Sequence, residues 1–495
     1  MRQSYILACV LASAVGALAA PAAASASSSQ LSSFQEDREL LGFTRTDPAQ
    51  AMAELRALGV DVIRTNVIYY KVYRSPSQGS KPAGFRASDP ESSQYDFSRT
   101  DRLVALAREN GMRVLMTVTG PGPRFTSSSP GRCRRVPCTF RPKAGDFGQF
   151  VEAVAKRYRG KVDYYSLYNE PNLDVWITPQ QRKPAVGRVQ TEGAIYRKLW
   201  IAGYKAIAKS DPGRRNRVLF GETAAIGEPL PLLQAALCLD VEGRPFTGAQ
   251  RGAHDCSGRP AKLNIGGFAI HPYNFGGFGT PRTKTKSESA LPIAYMPRLH
   301  RLIDNAYRRG RIRRRAPIFV TEFGFQSNPP DRVSKVSPAQ QGQYINESDR
   351  LLFGDSRVAM TAQYELSDPP EQDQFNSGLR FTERGGRQRK PAYDAYRLPL
   401  VVTRRSSGAV EVYGQARPTR LSGGSTSVAV QISEGGEFAT VAQRRTNARG
   451  IFQTNISRAG AAGARWRLSW LDPVTGQPVT SRIAKAGKRL RYYPG

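Results

Sequence analysis

Past residue 40 the chain repeats one pattern of apolar and polar positions. Short runs rich in β-branched and aromatic residues alternate with longer stretches whose apolar residues recur every three or four positions. The short runs predict strands over 40–43, 60–69, 112–119, 162–169, 218–222, 265–271, 317–323 and 358–366. The longer stretches predict helices over 48–58, 100–110, 146–159, 191–209, 295–308 and 338–353. Thr46-Asp47-Pro48 and Ser337-Pro338 each place a capping side chain before a proline, and Gly59 and Gly111 stand where two helices close. Eight strands alternating with helices predict a parallel sheet, and eight is the number that closes a (β/α)8 TIM barrel.

Near Pro399 the pattern changes. Runs over 409–413, 427–432, 438–443 and 465–470 are separated by Gly, Ser and Thr turns and carry no helical period. They predict a small C-terminal all-β sandwich domain over 401–495, after a barrel over 27–400. In Trp466-Arg467-Leu468-Ser469-Trp470 the alternation puts both tryptophans on one face. Core packing is the expected use of that face, ahead of sugar stacking.

The N-terminus changes the setting. Arg2, an apolar stretch over 6–20 and an Ala-rich stretch over 17–26 with A-x-A sites read as a secretory signal peptide over 1–26, which predicts a secreted, extracellular protein. That stretch is too short for a transmembrane helix, and no later run reaches membrane length. Four cysteines then remain, Cys133, Cys138, Cys238 and Cys256. An even number in an exported chain predicts disulfides, with three pairings open. The local pairing, Cys133 with Cys138 and Cys238 with Cys256, would staple two loops. With 3 histidines and no C-x-x-C pair, a zinc site is the weaker reading, and no metal is expected.

Of the 495 residues, 73 are Lys or Arg and 40 are Asp or Glu, a formal charge of +33. Such a field favours acidic partners: nucleic acid, anionic wall polymers or acidic glycans. The densest run, Arg308-Arg309-Gly310-Arg311-Ile312-Arg313-Arg314-Arg315, has the look of a nucleic-acid patch. It has no aromatic residues interleaved for base stacking, and an exported protein has little use for a nuclear signal, so no nucleic-acid partner is expected. Association with a cell wall stays open.

The chemistry is carried by two stretches. Residues 166–172 read SLYNEPN, an aromatic strand running into Asn169-Glu170-Pro171. Residues 319–325 read FVTEFGF, which puts Glu322 at the end of the seventh predicted strand. Both carboxylates therefore belong at the C-terminal rim of one barrel, where barrel enzymes keep their catalytic groups. Paired carboxylates suit glycoside hydrolysis: one protonates the leaving oxygen and the other attacks or activates water.

These motifs resemble the clan of retaining glycosidases on (β/α)8 barrels, clan A, which includes glycoside hydrolase families 5, 10 and 39. Asn169-Glu170-Pro171 and Thr321-Glu322-Phe323-Gly324 carry the resemblance, which covers roughly residues 36–400. It implies that Glu170 is the acid/base, Glu322 the nucleophile, and Asn169 a partner of the sugar 2-hydroxyl. It implies a strand-two arginine, Arg64, that keeps the nucleophile ionised. Through His271-Pro272-Tyr273 it implies a tyrosine contact to the nucleophile and a histidine facing substrate or the acid/base. Trp176 is a candidate sugar-stacking wall, with loop packing as its alternative, and Glu222 is expected to touch substrate or a neighbouring arginine. The pattern departs at the eighth strand, where many members of the clan have a Trp as the floor of the first subsite; here Tyr364 is expected to take that substrate-binding place.

The resemblance thus implies an oligo- or polysaccharide substrate, acidic if the charge of the loop around Cys133 and Cys138 faces it, and no cofactor. A catalytically silent carbohydrate-binding or wall-attached protein on the same barrel is the alternative.

Overall fold

The computed structural model describes residues 28–133, 137–258, 260–274, 279–370, 375–419, 423–457, 460 and 463–494. The expected signal peptide and residues 134–136 of the first cysteine loop lie outside them. Eight parallel strands close a barrel: β1 (Leu31–Gln35), β2 (Val62–Ile68), β3 (Arg113–Thr119), β4 (Tyr164–Leu167), β5 (Val218–Ala224), β6 (Gly267–His271), β7 (Ile318–Val320) and β8 (Val358–Tyr364). β1 pairs with both β8 and β2, which completes the ring.

The first strand is not where the sequence pattern puts it. Residues 40–43 belong to the end of a helical turn, Asp37–Leu40, and the loop after it, where Phe43 is exposed under the Arg99 guanidinium. The strand is Leu31–Gln35, LSSFQ, buried along its whole length. A barrel strand is covered on both faces and normally reads as an apolar run. Here Ser33 and Gln35 point inward into a polar part of the interior, so the run hides its burial.

The other elements follow local chemistry. Asp47 caps helix Pro48–Ala57 by accepting from the Ala49 amide at 3.2 Å. Ser337 and Gln340 form a reciprocal capping box on helix Pro338–Phe353. Gly59 and Gly111 close their helices at φ of 75° and 68°, a region open to glycine. Helix Pro229–Ala236, between β5 and β6, was not legible: PLPLLQAA is apolar almost throughout and shows no period.

The barrel interior is layered. Leu31, Val62, Leu115, Leu219, Ala269, Phe319 and Met360 form an apolar plug at the N-terminal end. Toward the C-terminal end the inward positions turn polar, with Gln35 in register between Arg64 and Tyr364. Outward residues such as Phe34, Ile63 and Val114 pack under the helices. The plug closes one end and the polar layer faces the other.

After a last helix, Pro391–Arg397, the chain forms two antiparallel sheets. One joins β9 (Leu400–Arg404), β10 (Val410–Gln415) and β13 (Ile451–Ile456); the other is built on β11 (Ser427–Ser433), β12 (Ala439–Arg445), β14 (Arg465–Leu471) and β15 (Pro478–Thr480). Leu400–Arg404 and Ile451–Ile456 were not among the expected strands; the latter, IFQTNI, has a polar centre. Trp466 and Trp470 are buried between the sheets and serve the core. The sandwich is tied to the barrel by Arg350 to Glu411 at 3.0 Å, Arg482 to Asn346 at 2.8 Å and Arg449 to Asp61 at 2.9 Å.

Both local disulfides are present, Cys133–Cys138 with Cα atoms 5.1 Å apart and Cys238–Cys256 with Cα atoms 5.7 Å apart. The Arg308–Arg315 run joins helix Met296–Arg308 to β7, at the plugged end of the barrel. Among the described residues no helix is long and apolar enough to cross a membrane.

Candidate active site

The open end of the barrel gathers the carboxylates. Glu170 follows β4 and Glu322 follows β7, and one oxygen of each lies, with a His271 ring nitrogen, within a 4.8 Å group. Both line a cleft of about 380 Å³ together with Leu173, Tyr273, Asn274, Gln326, Tyr364 and Phe375. Their side chains are only 16% and 14% exposed, so the pair is largely withdrawn from water yet reachable from the cleft.

Local backbone strain marks the same place. Tyr168, Glu170 and Glu222 stand at φ of 73°, 38° and 46°. A side-chain-bearing residue in that region costs ~1–3 kcal/mol, and such strain persists where the surrounding structure imposes it. Here the Glu170 amide donates to the Glu222 carbonyl at 2.9 Å, and the Asn172 side chain bridges to Ala224, accepting from its amide at 3.0 Å and donating to its carbonyl at 3.1 Å. The end of β4 is thereby strapped to the end of β5.

Arg64 organises the floor. It is fully buried and donates from Nε to Glu222 at 3.0 Å, from Nη1 to Glu322 at 3.1 Å and from Nη2 to Asn169 Oδ1 at 2.7 Å; Nη1 also donates to Gln35. A planar fork with five donors suits four acceptors in this way, which a lysine could not match. Burial opposes the guanidinium charge, but Glu222 and Glu322 outweigh it and hold Arg64 protonated. Because Asn169 Oδ1 receives Arg64, its amide NH2 is left to donate elsewhere. Glu222 also accepts from Thr117 Oγ1 at 3.0 Å and so is a partner of the arginine, one of the two contacts expected of it.

Tyr273 donates its hydroxyl to Glu322 Oε1 at 2.8 Å. His271 places Nδ1 2.9 Å from Glu170 Oε1 and 3.7 Å from Glu322 Oε2, and its buried Nε2 has no partner among the described residues. Burial disfavours the imidazolium, yet the charges of Glu322 and Glu170 more than offset it, raising the His271 pKa above the ordinary histidine value. For Glu322 burial is the largest influence and raises its pKa above the ordinary glutamate value; the charges of His271 and Arg64 and the Tyr273 hydrogen bond pull the other way without cancelling it.

Glu170, His271 and Glu322 are also a three-donor set of the size a cation needs. Glu322 already receives the Arg64 cation at 3.1 Å, which supplies positive charge to this carboxylate.

The remaining expected residues are distributed as follows. Tyr364 lines the cleft, and Phe375 stands between it and Tyr273, with ring centroids 5.9 and 4.6 Å away. Trp176 is half-buried against the barrel core and is not part of the cleft lining. Phe375, Gln35 and Leu173 were missed from sequence. Phe375 follows β8 in a loop with no period, and Gln35 lies on the strand that the polar run concealed.

No family model matches the chain, and no curated relative matches it. Among solved structures it is similar in fold to a family 39 glycoside hydrolase from the gut symbiont Bacteroides cellulosilyticus WH2, at 15% identity over 87% of this chain and 79% of that one, TM-score 0.48. It is similar also to a family 39 β-xylosidase from Caulobacter crescentus, at 17% identity over 84% of each chain, TM-score 0.47. A glucosidase from Croceicoccus marinus aligns at 10% identity over 93% of this chain and 98% of that one, TM-score 0.49.

Proposed function

We propose that the protein is an exported retaining β-glycosidase that cleaves an oligo- or polysaccharide by double displacement. The observation that carries this is the approach of Glu170 and Glu322 at the ends of β4 and β7, with carboxylate oxygens within 4.8 Å. Retaining enzymes hold their carboxyl groups ~5–5.5 Å apart, whereas inverting ones leave ~6.5–9.5 Å for a water between them. The paired carboxylates and the motif resemblance support the reaction class and the β-anomer. The Ala-rich apolar start of the chain and the two disulfides support export.

In the first step the Glu322 carboxylate attacks the anomeric carbon while Glu170 gives its proton to the departing oxygen, breaking the glycosidic bond. In the second, ionised Glu170 takes a proton from water, whose oxygen displaces Glu322 from the anomeric carbon. The first step needs a proton on Glu170 and none on Glu322. The fixed donors support that assignment, because Arg64 and Tyr273 both donate to Glu322 and neither donates to Glu170. Burial opposes it, so Glu322 ionises at a higher pH than a solvated glutamate. Asn169, its carbonyl oxygen turned to Arg64, offers its NH2 to the sugar 2-hydroxyl. Tyr364 and Phe375 offer apolar faces to the ring in the cleft.

The proposal is tested by following the first-formed product on an aryl β-glycoside panel by proton NMR. The β-anomer appearing first supports retention, and the α-anomer appearing first refutes it.

A further inference from the structure

We infer that the catalytic face carries a second, anion-binding groove, which seats the acidic groups of a polysaccharide chain outside the catalytic cleft. The inference rests on the glycosidase reading for the statement that the ligand is a glycan.

The groove has a volume of about 480 Å³ and is lined by Arg141, Lys143, Arg182 and Lys198, against a single lining carboxylate, Asp255. Lys143 pairs with Asp146 at 2.7 Å and Lys198 with Asp255 at 2.7 Å. Among the described residues Arg141 and Arg182 have no carboxylate partner, although Arg182 is steadied by one bond to the Ala253 carbonyl at 3.2 Å. Two arginines thus line one concavity with most of their guanidinium donors unspent. A guanidinium fork matches carboxylate and sulfate oxygens in pairs, and a neutral hydroxyl gains far less from it.

Its walls are built rather than incidental. The Arg141 backbone is pinned on both sides, its amide to Thr178 at 2.7 Å and its carbonyl receiving Ser128 at 3.0 Å. The disulfide Cys133–Cys138 closes the loop that leads to Arg141. The opposite wall, up to Asp255, ends at Cys256, and Arg197 holds the Asp255 carbonyl at 2.7 Å beside the second disulfide. Neither disulfide takes part in the proposed chemistry.

Position connects the groove to the cleft. Arg141 and Lys143 lie after β3 and Arg182 lies after β4, all at the end of the barrel that holds Glu170 and Glu322. The segment after Glu170 brings Leu173 to the cleft and then, through Thr178, holds Arg141. The one segment from Glu170 to Arg182 thus borders both the cleft and the groove. The Arg308–Arg315 run has comparable charge at the plugged end and supplies an internal control.

The test is direct binding by the full chain carrying Glu322→Gln, so that turnover does not interfere. Polygalacturonate, dextran sulfate and neutral dextran are titrated calorimetrically at low and moderate salt. The two polyanions separate a uronate ligand from a sulfated one, and preference for either supports the groove. Arg141→Gln/Arg182→Gln is expected to weaken polyanion binding by about tenfold or more and to flatten its salt dependence. Arg308→Gln/Arg309→Gln is expected to leave it unchanged, and dextran is expected not to bind more weakly to the groove variant.

Failure of the parent to bind either polyanion overturns the inference. So does equal loss in the two arginine variants, or a groove variant that binds as the parent does. Turnover of a small neutral aryl glycoside, measured with Glu322 intact, is expected to be the same with and without the groove substitutions. If no glycoside is turned over while groove-dependent binding remains, the glycosidase reading fails and the anion groove stands.

Discussion

Replacing Arg64 with methionine, which has similar length and no charge, should expose how the floor of the site is held. The guanidinium lies between Glu222 at 3.0 Å and Glu322 at 3.1 Å and is fully buried with Glu222. Deleting it leaves Glu222 with the Thr117 hydroxyl and Glu322 with the Tyr273 hydroxyl as their main remaining side-chain donors. Breaking a buried ion pair by removing one partner costs ~3–5 kcal/mol. The barrel unit runs from Leu31 to Arg397; at ~2.1 cal/mol/K per residue its unfolding entropy is ~0.8 kcal/mol/K, so the unfolding midpoint should fall by ~4–6 °C at pH 7.

The pH dependence separates a lost charge pair from lost packing. Without Arg64 the folded-state pKa of Glu322, already raised by burial, rises further above the unfolded value. Between those values the folded state binds more protons than the unfolded one, so the stability of the variant falls as pH rises through that window. The gap between parent and variant should therefore be small near pH 4 and widen toward pH 7. Calorimetric scans across that range read it. A gap that does not change with pH would mean that Arg64 acts as packing, and the electrostatic account of the floor would fail.

Other consequences are simpler to read. Glu170→Gln should lower kcat by ~10²–10⁴ on aryl glycosides with poor leaving groups and much less on those with activated ones, because only the former need a proton; equal losses would displace Glu170 from the acid role. Tyr273→Phe removes the 2.8 Å hydrogen bond to Glu322, so kcat/KM should drop about tenfold and the acidic limb of its pH profile should move up; an unmoved limb would refute the contact's role. Burial pushes Glu192 up to about 8, so its contribution to stability is full below the usual glutamate pKa and is lost as pH rises toward 8. Glu192→Gln removes that loss, and urea unfolding should find the variant gaining on the parent from pH 5 to pH 8.

The sequence made the barrel and the two carboxylates legible for one reason. In a parallel barrel every strand is buried on both faces, so seven of the eight strands stand out as apolar runs, and a Glu at the end of such a run is conspicuous. The first strand failed that rule because its inward residues, Ser33 and Gln35, belong to the polar layer around Arg64. Arg64 itself could be picked out for the converse reason, a cation amid β-branched residues. Its contact with Glu222 left two readings open, because a strand-end carboxylate can face either the cleft or the interior. Phe375 and Leu173 were out of reach: they come from loops whose course depends on packing rather than on any local period.

The account stands most directly on Glu322 as the nucleophile. Intact mass after incubation with a panel of activated 2-deoxy-2-fluoro β-glycosides, with the Glu322→Gln variant alongside, measures it. A single covalent adduct on the parent protein, placed on Glu322 by peptide mapping and absent from the variant, is the predicted result. Turnover of the parent glycosides with no adduct from any fluoro sugar, or an adduct on another residue, would contradict it.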